Sequence, residues 1–183
     1  MSLERNLEEV VRCLNRIKRQ GVITGYALIG GLSVSTWGFP RGTKDIDLLV
    51  SLSLEATHRL KAFFSALEGE GFKPEVFRGG HLDPVPYLVK ITHKDVPVDI
   101  LIATRRWEDE AVERAVKVDF HGVKVPVVPL EYLIVMKLKS GGPRDLLDAE
   151  ELLKTGGDIE TIKGLAIRLR VDKRLDKLRR KGR

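Results

Sequence analysis

Residues 29–50 read IGGLSVSTWGFPRGTKDIDLLV. The stretch begins as the end of an apolar run, ITGYALIGG, breaks on the adjacent Gly30 and Gly31, and closes on two aspartates one residue apart. DIDLLVS is expected to be a strand, because its Ile, Leu and Val residues form a short apolar run between polar ends. Side chains alternate across a strand, so Asp45 and Asp47 are expected on one face, roughly 6.5–7 Å apart, with Ile46 on the other. Two carboxylates at that spacing repel each other unless a cation lies between them. The glycine pair ends one strand and opens a short helix, LSVSTWG, whose first N–H groups are suited to an anion.

Upstream, Leu3, Leu7, Val10, Val11, Leu14 and Ile17 recur at helical spacing. Downstream, Ser53 is expected to cap a helix over about 54–70 that aligns Leu60, Phe63, Phe64 and Leu67. YLVKITH and VPVDILIA read as strands about a turn at Lys94–Asp95. A charged helix around 107–116 precedes a hairpin, VKVDFHGVKVPVV, turning at His121–Gly122. Pro129 opens a helix through LEYLIVMKLKSG that Gly141–Gly142 ends, and three helical pieces finish the chain. The fold class expected is α+β: a small mixed sheet backed by helices over 1–128, with a helical C-terminal part over 129–183 packed as one unit with it.

The 183 residues are enough to bury a core, and 43% hydrophobic content excludes general disorder. No apolar run approaches the roughly 18 residues of a membrane helix. The first 20 residues carry charges of both signs rather than a signal-peptide pattern, so a cytoplasmic protein without a membrane partner is expected. Cys13 is the single cysteine, and its apolar neighbours make it a core thiol; the four histidines show no zinc spacing. Charged residues make up 32% of the chain while Asn6, Asn15 and Gln20 are its only amides, a bias that fits a thermophilic source. The net charge of +6 is concentrated at the end, where 168–183 holds nine basic residues against Asp172 and Asp176. Such a tail either contacts a nucleic-acid backbone or is a solvated end that aids solubility.

Asp99 sits in VPVDILIA, an apolar strand with no packing use for an acid. If that strand neighbours DIDLLV, three carboxylates converge, and three acids can hold two divalent ions for an in-line phosphoryl displacement. A DxD alone is more often the solvated face of a sheet edge, and it is the further features that favour a metal site. Hard oxygen ligands on one face suit Mg²⁺, with substrate phosphates completing its shell. Gly30, Gly31 and Ser33 are candidate phosphate contacts, with Arg41 and Lys44 between them and the acids; there is no GxxxxGK[ST] and no GxGxxG. Trp37 and Trp107 read as packing residues, and 77–84 as either a lid or a hairpin connection.

The set IGGLS, KDIDLLV and VDILIA resembles the nucleotidyltransferase superfamily with the polymerase-beta-like fold, in its small prokaryotic branch of minimal and AbiEii-toxin-like enzymes. The resemblance covers roughly residues 24–150. It implies transfer of a nucleoside monophosphate from a nucleoside triphosphate such as ATP to an acceptor hydroxyl, with Mg²⁺, two ions in all, and release of pyrophosphate. It gives Gly30, Gly31 and Ser33 contacts to the triphosphate, Asp45 and Asp47 both metals, and Asp99 the metal and the acceptor hydroxyl. In MKLKSGGPRDLLDAEEL it makes Lys137 a phosphate ligand and Arg144, Asp145 and Asp148 wall residues. The turn departs from a tight glycine–serine in being GGLS, which leaves Gly31 only its backbone N–H to offer. A protein, an RNA 3′ end or a small molecule is open as acceptor, and a toxin–antitoxin role follows from the branch. The competing readings are a non-catalytic nucleotide- or RNA-binding module and a metal-dependent phosphohydrolase, the latter disfavoured by the lack of histidine–carboxylate metal motifs.

Overall fold

The computed structural model describes residues 3–53, 58–79, 87–120 and 122–181. The chain runs α1 (Leu3–Arg19), β1 (Ile23–Leu28), α2 (Gly30–Thr36), β2 (Ile46–Leu52), α3 (Arg59–Gly69), β3 (Glu75–Arg78), β4 (Tyr87–His93) and β5 (Val96–Ile102). It continues through α4 (Arg106–Glu113), β6 (Val116–Phe120), β7 (Val123–Val127), α5 (Leu130–Ser140), α6 (Pro143–Thr155), α7 (Ile159–Arg168) and α8 (Asp172–Lys181). The strands form one mixed sheet in the order β3-β4-β5-β2-β1-β7-β6. β2 with β5 and β1 with β7 are its parallel pairs. The α+β architecture expected from the sequence is the one observed.

The sheet separates two cores. Ile46, Leu48 and Val50 of β2 alternate onto one face, with Val98, Ile100 and Ile102 of β5, and meet Leu7, Val10, Val11, Leu14 and Ile17 of α1 and Phe63 and Leu67 of α3. Leu49 points the other way, into a core built by Trp107, Ala111 and Val112 of α4 and by apolar residues of α5 to α8. The helical end of the chain therefore packs on the sheet face that carries Leu49. α8 is held there by Val171, Leu175 and Leu178, all buried. Its Arg174 donates to the carbonyls of Leu138 (2.5 Å) and Lys139 (3.2 Å), satisfying the C-terminal end of α5. The basic end is thus a docked helix rather than a loose tail.

Lys94 and Asp95 both have positive φ, 48° and 68°, the geometry a two-residue hairpin turn demands between β4 and β5. β3 has no counterpart in the sequence reading. All four of its residues are exposed at the sheet edge, so no burial alternation marks it. Asp45 also departs from expectation: it precedes β2 in a bend, and only Asp47 lies on the strand. The expected helix start at 54–57, the turn residue His121, and most of the 77–84 stretch lie outside the described residues. No helix among the described residues is long and apolar enough to cross a membrane.

Candidate active site

The glycine turn and β2 are fitted to each other. Gly30 has φ +65°, and a Cβ there would stand 1.9 Å from Oδ2 of Asp47. A Cβ on Gly31 would stand 2.9 Å from Cβ of Thr43. The missing side chains thus make room for the Asp47 carboxylate and for the loop that delivers Asp45. The Gly31 N–H donates to Asp47. The N-terminal donor that the sequence offered to an anion is therefore aimed at a carboxylate of the chain itself.

Asp47 and Asp99 are register partners on the parallel strands β2 and β5, with the strands about 4.8 Å apart. Burial pushes the Asp47 carboxyl up to about 6, and the neighbouring charges of Asp45 and Asp99 push the same way, against the Gly31 N–H and Lys137. Asp45 is shifted oppositely: the Thr43 hydroxyl donates to it and holds its carboxyl below the usual range, helped by backbone N–H groups and Arg41. Asp99 is partly exposed and faces Lys90 of β4 at 3.4 Å, its cross-strand partner.

Cations come from two directions. Lys137 of α5 places Nζ 2.9 Å from Oδ1 of Asp145 and 2.9 Å from Oδ2 of Asp148. Arg41, from the loop before β2, pairs with the same Oδ2 of Asp148. Asp148 is 1% exposed, so one buried carboxylate ties the β2 loop to α5. Arg144 adds a 3.3 Å hydrogen bond to the Gly42 carbonyl. Of these groups, Arg41, Lys137 and Asp145 border a cavity of about 320 Å³. Its polar lining includes Gly30, Gly31, Arg41, Asp45, Asp47, Glu108 and Lys137, and its apolar lining Leu49, Leu101, Trp107, Leu133 and Met136.

A glycine turn fitted to an aspartate strand, with a third acid in register beside it, is the geometry the sequence resemblance anticipated. Residues 12–183 match the family described as nucleotidyl transferase AbiEii toxin, type IV toxin–antitoxin system. The chain belongs to the AbiEii nucleotidyltransferase family. No curated protein matches it. Its fold is similar to the solution structure of the antibiotic-resistance factor ANT(2'')-Ia, at TM-score 0.59 and 14% identity over 99% of this chain and 100% of that one. It is similar to an antigenic nucleotidyltransferase-like protein from Paracoccidioides brasiliensis, at TM-score 0.53 and 19% identity over 94% and 90% of the two chains. A putative nucleotidyltransferase from Thermotoga maritima gives TM-score 0.51 and 17% identity over 85% and 97%.

In this AbiEii chain the sequence-derived residues divide. Gly30, Gly31, Arg41, Asp45, Asp47 and Lys137 line one cavity, with Asp145 beside them. Asp99 is not on that wall; it stands beside Asp47 as its register partner on β5. Ser33 stands apart from them: it is fully buried inside the short helix α2, its hydroxyl has no hydrogen-bond partner among the described residues, and it does not border the cavity. Lys44 is exposed and also lies off the cavity wall. Trp37 is a packing residue, its indole N–H donating to the Val128 carbonyl at 2.9 Å. Trp107, read from the sequence as packing, is buried and also lines the cavity. Leu101, two residues after Asp99, could have been found by the period-2 rule that puts both on one face.

Proposed function

We propose that this protein is an Mg²⁺-dependent nucleotidyltransferase that moves a nucleoside monophosphate from a nucleoside triphosphate to an acceptor hydroxyl. The observation that carries this reading is the register of Asp47 with Asp99 next to the Gly30–Gly31 turn, where Asp47 lines a cavity together with Asp45, Arg41 and Lys137. The cavity volume lies near the low end of small-ligand pockets, about 300–1,000 Å³.

Carboxylate oxygens are the donor chemistry Mg²⁺ takes, and it is commonly held by one or two of them together with substrate phosphates. Among the described residues no three carboxylate, imidazole or thiol groups gather closely enough to hold an ion by themselves. Asp45, Asp47 and Asp99 would hold the metal, which when bound neutralises phosphate charge and polarises the reacting oxygens.

The chain's own residues do the rest. Gly30 and Gly31 make room for the Asp47 carboxylate and for the loop that carries Asp45, and so set where the metal-holding acids stand. Lys137 and Arg41 supply positive charge at the wall where negative charge builds up. The apolar lining residues Leu49, Leu101 and Trp107 offer the nucleoside a surface that excludes water. The acceptor oxygen bonds to the α-phosphorus, the bridging oxygen leaves with the pyrophosphate, and the hydroxyl proton passes to Asp99. Membership of a toxin family makes a cellular macromolecule, RNA 3′ end or protein, the first acceptor class to try, ahead of a small molecule.

Calorimetric titration of ATP, GTP, CTP and UTP with Mg²⁺ tests the reading, with EDTA and Asp45→Asn/Asp47→Asn controls. Metal-dependent binding that the double variant loses, with pyrophosphate released once an acceptor is added, is the expected result. A folded wild type that binds no triphosphate would overturn it. Binding with no pyrophosphate from any acceptor would make the protein a nucleotide-binding module instead.

A further inference from the structure

We infer that the chain carries a second site, at the end of the sheet opposite the carboxylates, that holds a single-stranded nucleic acid by its phosphates. Binding there requires no triphosphate and none of the three acids. Asp47 lies near the start of β2, and Ser51 and Leu52 at its far end border a cavity of about 1310 Å³ together with Ile102 of β5. Five residue steps along the strand separate Asp47 from Leu52, about 16 Å. The carboxyl ends of parallel strands are where open sheets with crossover helices gather ligands, because the following helices point their N-termini there. α3 starts at this cavity with Arg59 and α4 with Arg106. Glu108 already accepts the N–H groups of Thr104 and Arg105 at α4, whereas the N-cap residue of α3, His58, makes no side-chain cap hydrogen bond.

Cations converge on the same cavity from six elements. Lys18 comes from α1, Arg59 and Lys61 from α3, Arg78 from β3, Arg106 from α4, and Lys117 and Lys124 from β6 and β7. Asp109 and Glu113 are the acids among its lining residues. Arg106 is matched by Glu110 at 3.2 Å and Lys124 by Asp119 at 3.1 Å. Lys18, Arg59, Lys61, Arg78 and Lys117 are exposed and have no carboxylate partner among the described residues.

The length of this basic strip selects the ligand. Arg78 and Lys117 belong to β3 and β6, the two edges of the sheet. Six inter-strand steps of about 4.8 Å place those edges about 29 Å apart along the sheet. A triphosphate covers a fraction of that span, and a phosphodiester strand follows all of it. Tyr87 and His58 bring rings into the same lining, the pairing of cations and stacking surfaces that single-strand binding uses.

Fluorescence anisotropy of a labelled 15-nucleotide RNA, and of the same sequence as DNA, tests this with the full chain in EDTA and without nucleotide. Five unmatched cations at about 0.7 counterion each give a slope of log affinity on log salt near −3.5, about a hundredfold loss between 50 and 200 mM. Lys61→Gln/Arg78→Gln/Lys117→Gln, three exposed positions on three elements, should cut that loss below tenfold. Lys173→Gln/Lys177→Gln/Arg180→Gln on α8 should leave binding unchanged, as should Asp47→Asn, so the outcome is separate from that of the transfer reaction. Binding of RNA alone or of both strands supports the site. Failure of the wild type to bind either strand would overturn it. So would unchanged binding in the groove variant, or equal affinity for a poly-glutamate of the same length.

Discussion

Replacing Asp47 with asparagine is expected to stabilise the metal-free protein at pH 8 while ending its proposed chemistry. Burial, with the charges of Asp45 and Asp99, lifts the Asp47 carboxyl from 3.8 to about 6. A carboxyl raised in the folded state is most favourable to folding when protonated. Its benefit is complete below pH 3.8 and is lost as pH rises through 6. The shift of about 2 pH units, at 1.36 kcal/mol each, corresponds to about 3 kcal/mol withheld from the folded state at pH 8. The neutral amide avoids that loss and can still accept from the Gly31 N–H. The stability gap between variant and wild type should therefore grow from under about 1 kcal/mol at pH 4 to about 3 kcal/mol at pH 8. For a chain of this size that is a rise of about 6–12 °C in melting temperature. Urea denaturation in EDTA at both pH values measures the gap directly, provided the slopes agree. A gap that does not widen with pH would refute the account of Asp47 as a buried carboxylate repelled by its neighbours.

Three further outcomes follow from the same contacts. Gly30→Ala puts a Cβ into Asp47 at a left-handed φ; it should cost about 2 kcal/mol or more and abolish triphosphate binding, measured by urea melts and calorimetry. Asp148→Asn leaves Arg41 and Lys137 facing each other across a neutral group. A loss of about 3 kcal/mol in chemical denaturation is expected, the low end for a broken buried pair because Asp145 still holds Lys137. Thr43→Val removes the hydroxyl that holds Asp45 down. Carboxyl-carbon NMR titration should show Asp45 ionising at higher pH, and an unmoved midpoint would leave Thr43 without that role. Because a depressed carboxyl stabilises the fold above its unfolded value, the acid limb of unfolding should also begin at higher pH in this variant.

What the sequence disclosed was local. Helical spacing marked α1, and the glycines at 30 and 31 marked the turn, because both signals lie within a few residues of each other. The contact of Asp47 with Asp99 bridges 52 residues and depends on parallel register, which the sequence could offer only as a supposition. β3 was invisible because an edge strand exposed on both faces shows no alternation. Ser33 was misplaced for a related reason. Its spacing from Gly30 fits a phosphate turn, yet the tertiary packing of α2 buries it completely.

Arg41 and Lys137 show how such packing changes the meaning of a residue. Read along the chain, each is a free cation offered to phosphate. In the fold they converge on Asp148, and Lys137 also meets Asp145. A triphosphate entering this cavity would thus meet cations whose charge is already partly answered, and would have to draw Lys137 away from one of its carboxylates. Asp145 is the partner to exchange, since its side chain is 30% exposed while that of Asp148 is 2% exposed. Removing a carboxylate from water and leaving it unpaired is the costlier change. Retaining Asp148 would keep the β2 loop, which carries Asp45, tied to α5 throughout substrate exchange. The acid that competes for Lys137 is in this way what holds the loop carrying Asp45 in place.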